Sequence, residues 1–344
     1  MANANNLLAM STPAMIAVIV VSVLCALFLV LGVFRKFSRA SWLGYQLAAL
    51  FGVSLLLDLF PATDGIWYPL IVGGSFFGAE ALLLGAGAIV RYAIRARKEQ
   101  AHIFWRVADR ILGALTYLVN FAVALLICGM LAATVMLNIL PSAPEFIAPL
   151  GELEIWQSYG RYCADFLLIV FLKLAVKAGY KLGASKRAWV GLALVLTLAA
   201  LLGSVVLVGK LSFLTALSDK IAGTVSQDHS VLSRIVGHAV TSLVVFVALF
   251  IVIVVLTLLF NLLVKYMQES AAFKVMNGML LALLFYAVAL AVALFAYYGL
   301  DKILGLIQTQ DIVSGTEGYI LRLMDLFARA PFTSVFYGYN PFFA

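Results

Sequence analysis

Charge is what this chain has least of. Lys, Arg, Asp and Glu make up 11% of its 344 residues, where a soluble domain carries roughly 25%. So few charges cannot cover a water-facing surface, which excludes a freely soluble globule. Cysteine is scarce as well. Cys25, Cys128 and Cys163 are odd in number, lie in or beside apolar runs, and match no metal spacing. A disulfide framework and a zinc site are therefore disfavoured, and the three read as small apolar packing residues. The chain also lacks G-x-x-x-x-G-K-[ST], H-E-x-x-H and G-x-S-x-G, which disfavours powered transport by this chain alone and the common hydrolases. No residue pattern calls for a cofactor or a metal, and the chain reads as non-enzymatic.

What is abundant is apolar sequence, 65% of all residues. Hydrocarbon offers no water to backbone polar groups, so only helices or closed barrels span a bilayer. Period-2 alternation is absent and several runs reach the roughly 20 residues a spanning helix needs. The expected fold is all-α, a polytopic transmembrane helical bundle of about eight spans. These fall near 14–34, 43–60, 69–90, 111–139, 163–180, 190–208, 239–264 and 278–300. The third and fifth each carry a charge. The first run has no positive residue before it and ends in Arg35-Lys36, so it reads as a retained span and not a cleaved leader.

The net charge of +7 is spread over short loops, the pattern of a topology signal and not of nucleic-acid binding. Arg35, Lys36 and Arg39 fill the first loop. The third carries Arg91, Arg95, Arg97, Lys98, Arg106 and Arg110 against Glu99 and Asp109, and the fifth region Lys173, Lys177, Lys181, Lys186 and Arg187 with no acid. The even loops are acidic or balanced. Odd loops therefore face the cytoplasm and both termini face outward, as in a multi-pass protein. Two one-sided segments, about 211–222 and 319–330, read as interfacial helices.

One short basic stretch is written twice. GVFRKFSRASWLG (32–44) and GYKLGASKRAWVG (179–191) both place Trp ten residues after a first glycine and another glycine two further on. A second pair, RVADRILGAL (106–115) and KVMNGMLLAL (274–283), opens the last long span of each half. The chain thus reads as two parallel four-span units, 10–140 and 155–344. Gly32, Gly179 and Gly183 are expected to permit a tight turn. Trp42 and Trp189 are expected to anchor it at headgroup level, with its basic residues favouring anionic membrane lipid.

These motifs resemble the colicin V production (CvpA) family of bacterial inner-membrane proteins. Asp165-Phe166 leading to Gly179-Tyr-Lys-Leu-Gly183 is similar to the family's opening half. Asp109-Arg110-Ile-Leu-Gly113 is similar to its closing motif, and Tyr339-Asn340-Pro341 to its ending. The sequence departs from the pattern at Lys36, where glycine is expected, and at Asn277-Gly278, where Asp-Arg is expected. The resemblance implies an envelope role: production or export of a secreted peptide toxin and tolerance of envelope stress, through a homo-oligomer or an envelope or export partner. The family has no established catalytic residues.

Glu80 is the sharpest chemical candidate. A charge at a helix centre costs roughly 2.5–3.5 kcal/mol on insertion scales, and such residues usually face a bundle interior or an aqueous cavity. Glu80, with Asn120, is a candidate proton or ion site; the alternative is an interhelical staple. Gly74 and Gly78, in small-x-x-x-small spacing, and Gly85 are expected to admit a neighbouring helix. Lys173, Lys177 and Lys181 recur every four residues and read as snorkelling toward the inner face. Asn120 and Asn261 fit packing hydrogen bonds, and His102, His229 and His238 fit surface positions. A small-molecule or proton-coupled ion transporter using Glu80 is the alternative function.

Overall fold

The computed structural model describes residues 12–35, 37, 41–57, 67–98, 103–134, 162–185, 187–225, 231–267, 270–310, 321, 324 and 328–342. The helices are α1 (Thr12–Arg35), α2 (Leu43–Leu57), α3 (Trp67–Lys98), α4 (Ile103–Thr134), α5 (Cys163–Gly183), α6 (Ala188–Lys210), α7 (Ser212–Val225), α8 (Val231–Met267), α9 (Ala271–Gln310) and α10 (Pro331–Tyr337). No strand occurs among the described residues. Over the described residues, each of the eight expected stretches falls on a helix. Six of them, α1, α3, α4, α6, α8 and α9, are long and apolar enough to cross a membrane, and the chain is a multi-pass membrane protein.

The remaining two fall short for different reasons. The described part of α2 has 15 residues, about 22 Å at 1.5 Å per residue against a hydrocarbon core of about 30 Å, and residues 58–60 of the expected span lie outside the described residues. In α5 the length suffices, but Asp165, Lys173, Lys177 and Lys181 break the apolar run.

The chain divides into two compact units. One comprises Met1–Leu56 and Gly78–Cys163, the other Leu57–Phe77 and Ala164–Ala344. Helix α3 thus gives its residues through Phe77 to the second unit and its remainder to the first.

In the first unit, α1 packs along α4, with Phe28 stacked on Phe121 at 4.6 Å between ring centroids. Helix α2 buries Leu47 and Leu50, and its Gln46 Nε2 donates to the Leu83 carbonyl of α3 at 3.3 Å. The outer faces stay apolar. Only 6% of the Val18–Arg35 window of α1 is buried, so its Val, Leu and Ile side chains are left to lipid.

The second unit is built around α6, which packs against both α8 and α9. Ala188, Val195, Leu281 and Phe285 form the centre of its core. Helix α9 holds the start of α3 through Tyr286, whose hydroxyl donates to the Gly73 carbonyl at 3.1 Å. Helix α8 mirrors α1 in its exposure, with only 11% of Leu232–Leu262 buried.

The segment expected to lie on the membrane at about 211–222 is helical, as α7, but it uses a different face. Its buried stripe is Leu214, Ser218 and Ala222, while Leu217 is exposed. The small Ser218 and Ala222 let α7 settle on α8 at Gly237, where an added Cβ would strike the Ser218 carbonyl and Ala222. α7 is therefore a docked helix of this unit. The second such segment, at about 319–330, lies largely outside the described residues.

Candidate functional site

The repeated glycines do not act as turns. Gly32 lies inside α1, Gly44 inside α2, Gly179 inside α5 and Gly191 inside α6, while Gly183 ends α5. None has a φ in the left-handed region. Their role is close approach of helices. A Cβ at Gly32 would lie 2.5 Å from the Ala114 Cα and 2.6 Å from the Gly113 carbonyl oxygen. One at Gly179 would lie 2.6 Å from the Leu281 carbonyl oxygen and 2.9 Å from the Ala282 Cα, and one at Gly183 2.5 Å from the Asn277 carbonyl oxygen. In each unit the first glycine of the basic stretch thus sits against the helix that RVADRILGAL or KVMNGMLLAL opens. Moreover, Gly113-Ala114 and Leu281-Ala282 are the same positions of those two sequences.

An asparagine ties each crossing to the basic stretch. In the first unit, Asn120 Oδ1 accepts from the Gly44 N–H at 2.7 Å and its Nδ2 donates to the Ser41 carbonyl at 2.8 Å. In the second, Asn277 Nδ2 donates to the Gly183 carbonyl at 2.8 Å. That carbonyl belongs to the last turn of α5 and has no later residue of the helix to receive from. Both polar ends of Asn120 are thus engaged in holding the basic stretch against α4. Asn277→Ala should cost about 1 kcal/mol, the net worth of one such bond, and should lower the thermal midpoint of the detergent-solubilised protein. An unchanged midpoint would mean that the bond contributes nothing to the crossing.

Asp165 forms the second motif-bearing contact. It is fully buried in the first turn of α5. Its Oδ2 accepts from the Phe332 N–H at 2.9 Å, and its Oδ1 from the Thr333 N–H and Thr333 Oγ1, each at 2.7 Å. The first N–H groups of a helix have no partner within it, so Asp165 caps α10 from 167 residues away. The closing Asn340 is buried too, and its Nδ2 donates to the Leu294 carbonyl of α9 at 3.0 Å. Between these fixed points Tyr337 stacks on Tyr297 at 4.3 Å. Burial, then Tyr297 and Asp165 beside it, push the Tyr337 hydroxyl pKa upward, so it stays a neutral phenol.

Glu80, in the part of α3 that belongs to the first unit, is fully buried. Gly74, Gly78 and Gly85 do not make the close approaches expected of them among the described residues: none of these lies within 4 Å of a Cβ built at any of the three. Spacing alone therefore did not pick out the close approaches, which fall at Gly32, Gly44, Gly179, Gly183 and Gly237 among others. Lys173 is fully buried and does not snorkel. Lys177 is half-buried and Lys181 exposed. Steps of four residues advance about 40° around a helix, which carries the stripe off the buried face by Lys181.

Trp42 also departs from expectation. Its ring packs against Phe37 at 4.8 Å, and its indole N–H is buried, so it does not reach outward as an anchor. Trp189 is 39% exposed and is free to do so. Asp109 and Gly113 of the closing motif are buried and Arg110 is exposed. Asn261 faces outward. His102 and His229 lie outside the described residues, while His238 is half-buried against the Val205 carbonyl at 3.1 Å. Cys25, Cys128 and Cys163 are free thiols, of which only Cys163 is buried.

No family model matches the chain, and neither a curated protein nor a solved structure does. The likeness to CvpA rests on its short motifs. Among the described residues no group of three or more His, Cys, Asp or Glu could hold a metal ion.

Proposed function

We propose that this chain is a non-enzymatic scaffold of the CvpA type in the bacterial inner membrane, acting in envelope maintenance or peptide export. The observation that carries this reading is how the motif residues are used. Gly179 and Gly183 close a helix crossing, Asp165 caps a distant helix and Asn340 holds a carbonyl. The polar groups most distinctive of the sequence go into fixing helices, as in a protein that works by presenting surfaces to partners or to further copies of itself.

The matched crossings support a duplication. Gly32 on Gly113-Ala114 and Gly179 on Leu281-Ala282 are the same contact at positions the two repeats align. Two parallel four-span units then follow, with α2 and α5 completing eight crossings. The basic loops put the stretches at 35–42 and 181–189 in the cytoplasm and both termini outside.

A second reading, proton-coupled carriage of a small solute or ion, is favoured by the burial of Glu80 in a membrane helix. One experiment separates the two. The gene is deleted in its host, an envelope-stress or export defect is found, and wild type or Glu80→Gln is restored at matched membrane abundance. Full rescue by the Gln variant is expected, since an amide of the same shape keeps a packing role. Loss of rescue with normal abundance would replace the scaffold by a conduit that needs an ionisable group.

A further inference from the structure

The second unit holds a cavity of about 590 Å³ between α6, α8 and α9, within the roughly 300–1,000 Å³ of small-molecule pockets. It lies toward the end of α6 remote from the basic stretch, and its walls are graded. Along α8, Arg234, His238 and Ser242 line it at successive steps of four residues, a stripe about 12 Å long at helical rise. From α9, Lys302 joins Arg234, while Leu201, Leu243 and Phe295 make the wall beside Ser242 apolar.

Five details mark this as a binding site rather than a packing gap. Arg234 is exposed, with no ion-pair partner among the described residues. Lys302 faces Asp301 at 3.7 Å and lies 5.2 Å from the centre of the Tyr298 ring, so the rim keeps a net positive charge. Ser242 lines the cavity, and its own hydroxyl, buried behind that wall, has no hydrogen-bond partner among the described residues, a costly arrangement that a small shift toward a ligand oxygen would relieve. His238 is fixed on the wall because only its Nε2–H can donate to the Val205 carbonyl at 3.1 Å. Leu201 and Leu243 are themselves exposed, so the cavity opens onto the apolar flank that faces lipid.

We propose that this cavity binds one anionic phospholipid. The phosphate sits between Arg234 and Lys302, the glycerol ester region reaches Ser242, and one acyl chain lies along Leu201, Leu243 and Phe295. Guanidinium and ammonium groups at the rim select the negative headgroup. The apolar wall selects a tail, which a soluble phosphate lacks. This site goes beyond the scaffold reading and does not depend on it, because neither Glu80 nor the helix crossings take part.

The test uses the full-length protein, delipidated in mild detergent and titrated with phosphatidylglycerol, phosphatidylcholine or glycerol phosphate, with bound lipid counted by native mass spectrometry. The expected result is one phosphatidylglycerol per chain, bound at least tenfold tighter than phosphatidylcholine, with no binding of glycerol phosphate. Arg234→Gln and Lys302→Gln should each weaken phosphatidylglycerol several-fold and together erase the preference. Both side chains are exposed, so folding is not at stake, and Ser242→Phe tests the cavity separately by filling it. Equal binding of the two lipids, a preference untouched by the double substitution, or binding of glycerol phosphate as tight as the lipid would each overturn the proposal.

Discussion

Asp165→Ala is expected to release α10 from the start of α5 and to cost about 2–6 kcal/mol, from about 1–3 kcal/mol for each of two orphaned buried N–H groups. The groups at stake are the Phe332 and Thr333 amides, which the carboxylate receives at 2.9 and 2.7 Å. Domains are stable by about 5–15 kcal/mol in all, so the second unit would lose a large part of its margin. The measurement is limited proteolysis in detergent together with the thermal midpoint. Cleavage near 328–342 should appear in the Ala variant before the rest of the chain opens. Thr333→Val removes only the hydroxyl donor to Asp165 and should cost about 1 kcal/mol. Equal losses for the two variants would contradict a carboxylate cap made mainly through the backbone.

Gly183→Val is the second large effect. The new side chain would meet backbone, with the Asn277 carbonyl oxygen at 2.5 Å and the Gly278 Cα at 2.8 Å from its Cβ. A flexible side chain could turn aside, but a helix backbone must move as a whole. Overpacking usually costs about 1–3 kcal/mol, and a backbone clash belongs at or above the upper end of that range. Membrane abundance should fall several-fold, since losses of this size change steady-state levels. Gly203→Ala supplies the control. Nothing lies within 4 Å of its Cβ position, and alanine is the better helix former by about 1 kcal/mol. The control should therefore match or exceed wild type in thermal midpoint. If both variants accumulate normally, the α5–α9 approach is looser than these distances state.

The helices themselves were readable from the apolar runs, because hydrocarbon length and backbone satisfaction leave few alternatives. Finer features were readable only in part. Gly74-x-x-x-Gly78 and Gly179-x-x-x-Gly183 have the same spacing, yet only the second pair meets a neighbour. Spacing says a helix could approach; it does not say that one does. The basic residues beside Gly32 and Gly179 suggested a turn, and a glycine near a helix end serves a turn or a crossing equally well on sequence. The α10 cap was out of reach for another reason. Asp165 and Thr333 stand 168 residues apart, and no periodicity links them. The stripe of Arg234, His238 and Ser242 stands at helical spacing, but His238 read as a surface residue because α8 runs from Val231, well before the apolar run.

The reach of Asp165 also sets an order of events during synthesis. Its partners are 167 residues further along the chain, roughly 8–33 s of translation at about 5–20 residues per second. Through that interval the nascent α5 carries an acid without the amides that will receive it. Its position in the first turn of the helix makes the wait tolerable, since a carboxylate at a helix end can stay in the hydrated boundary while the apolar residues beyond it enter the bilayer. α5 therefore completes its seating late, after α6, α8 and α9 have been inserted.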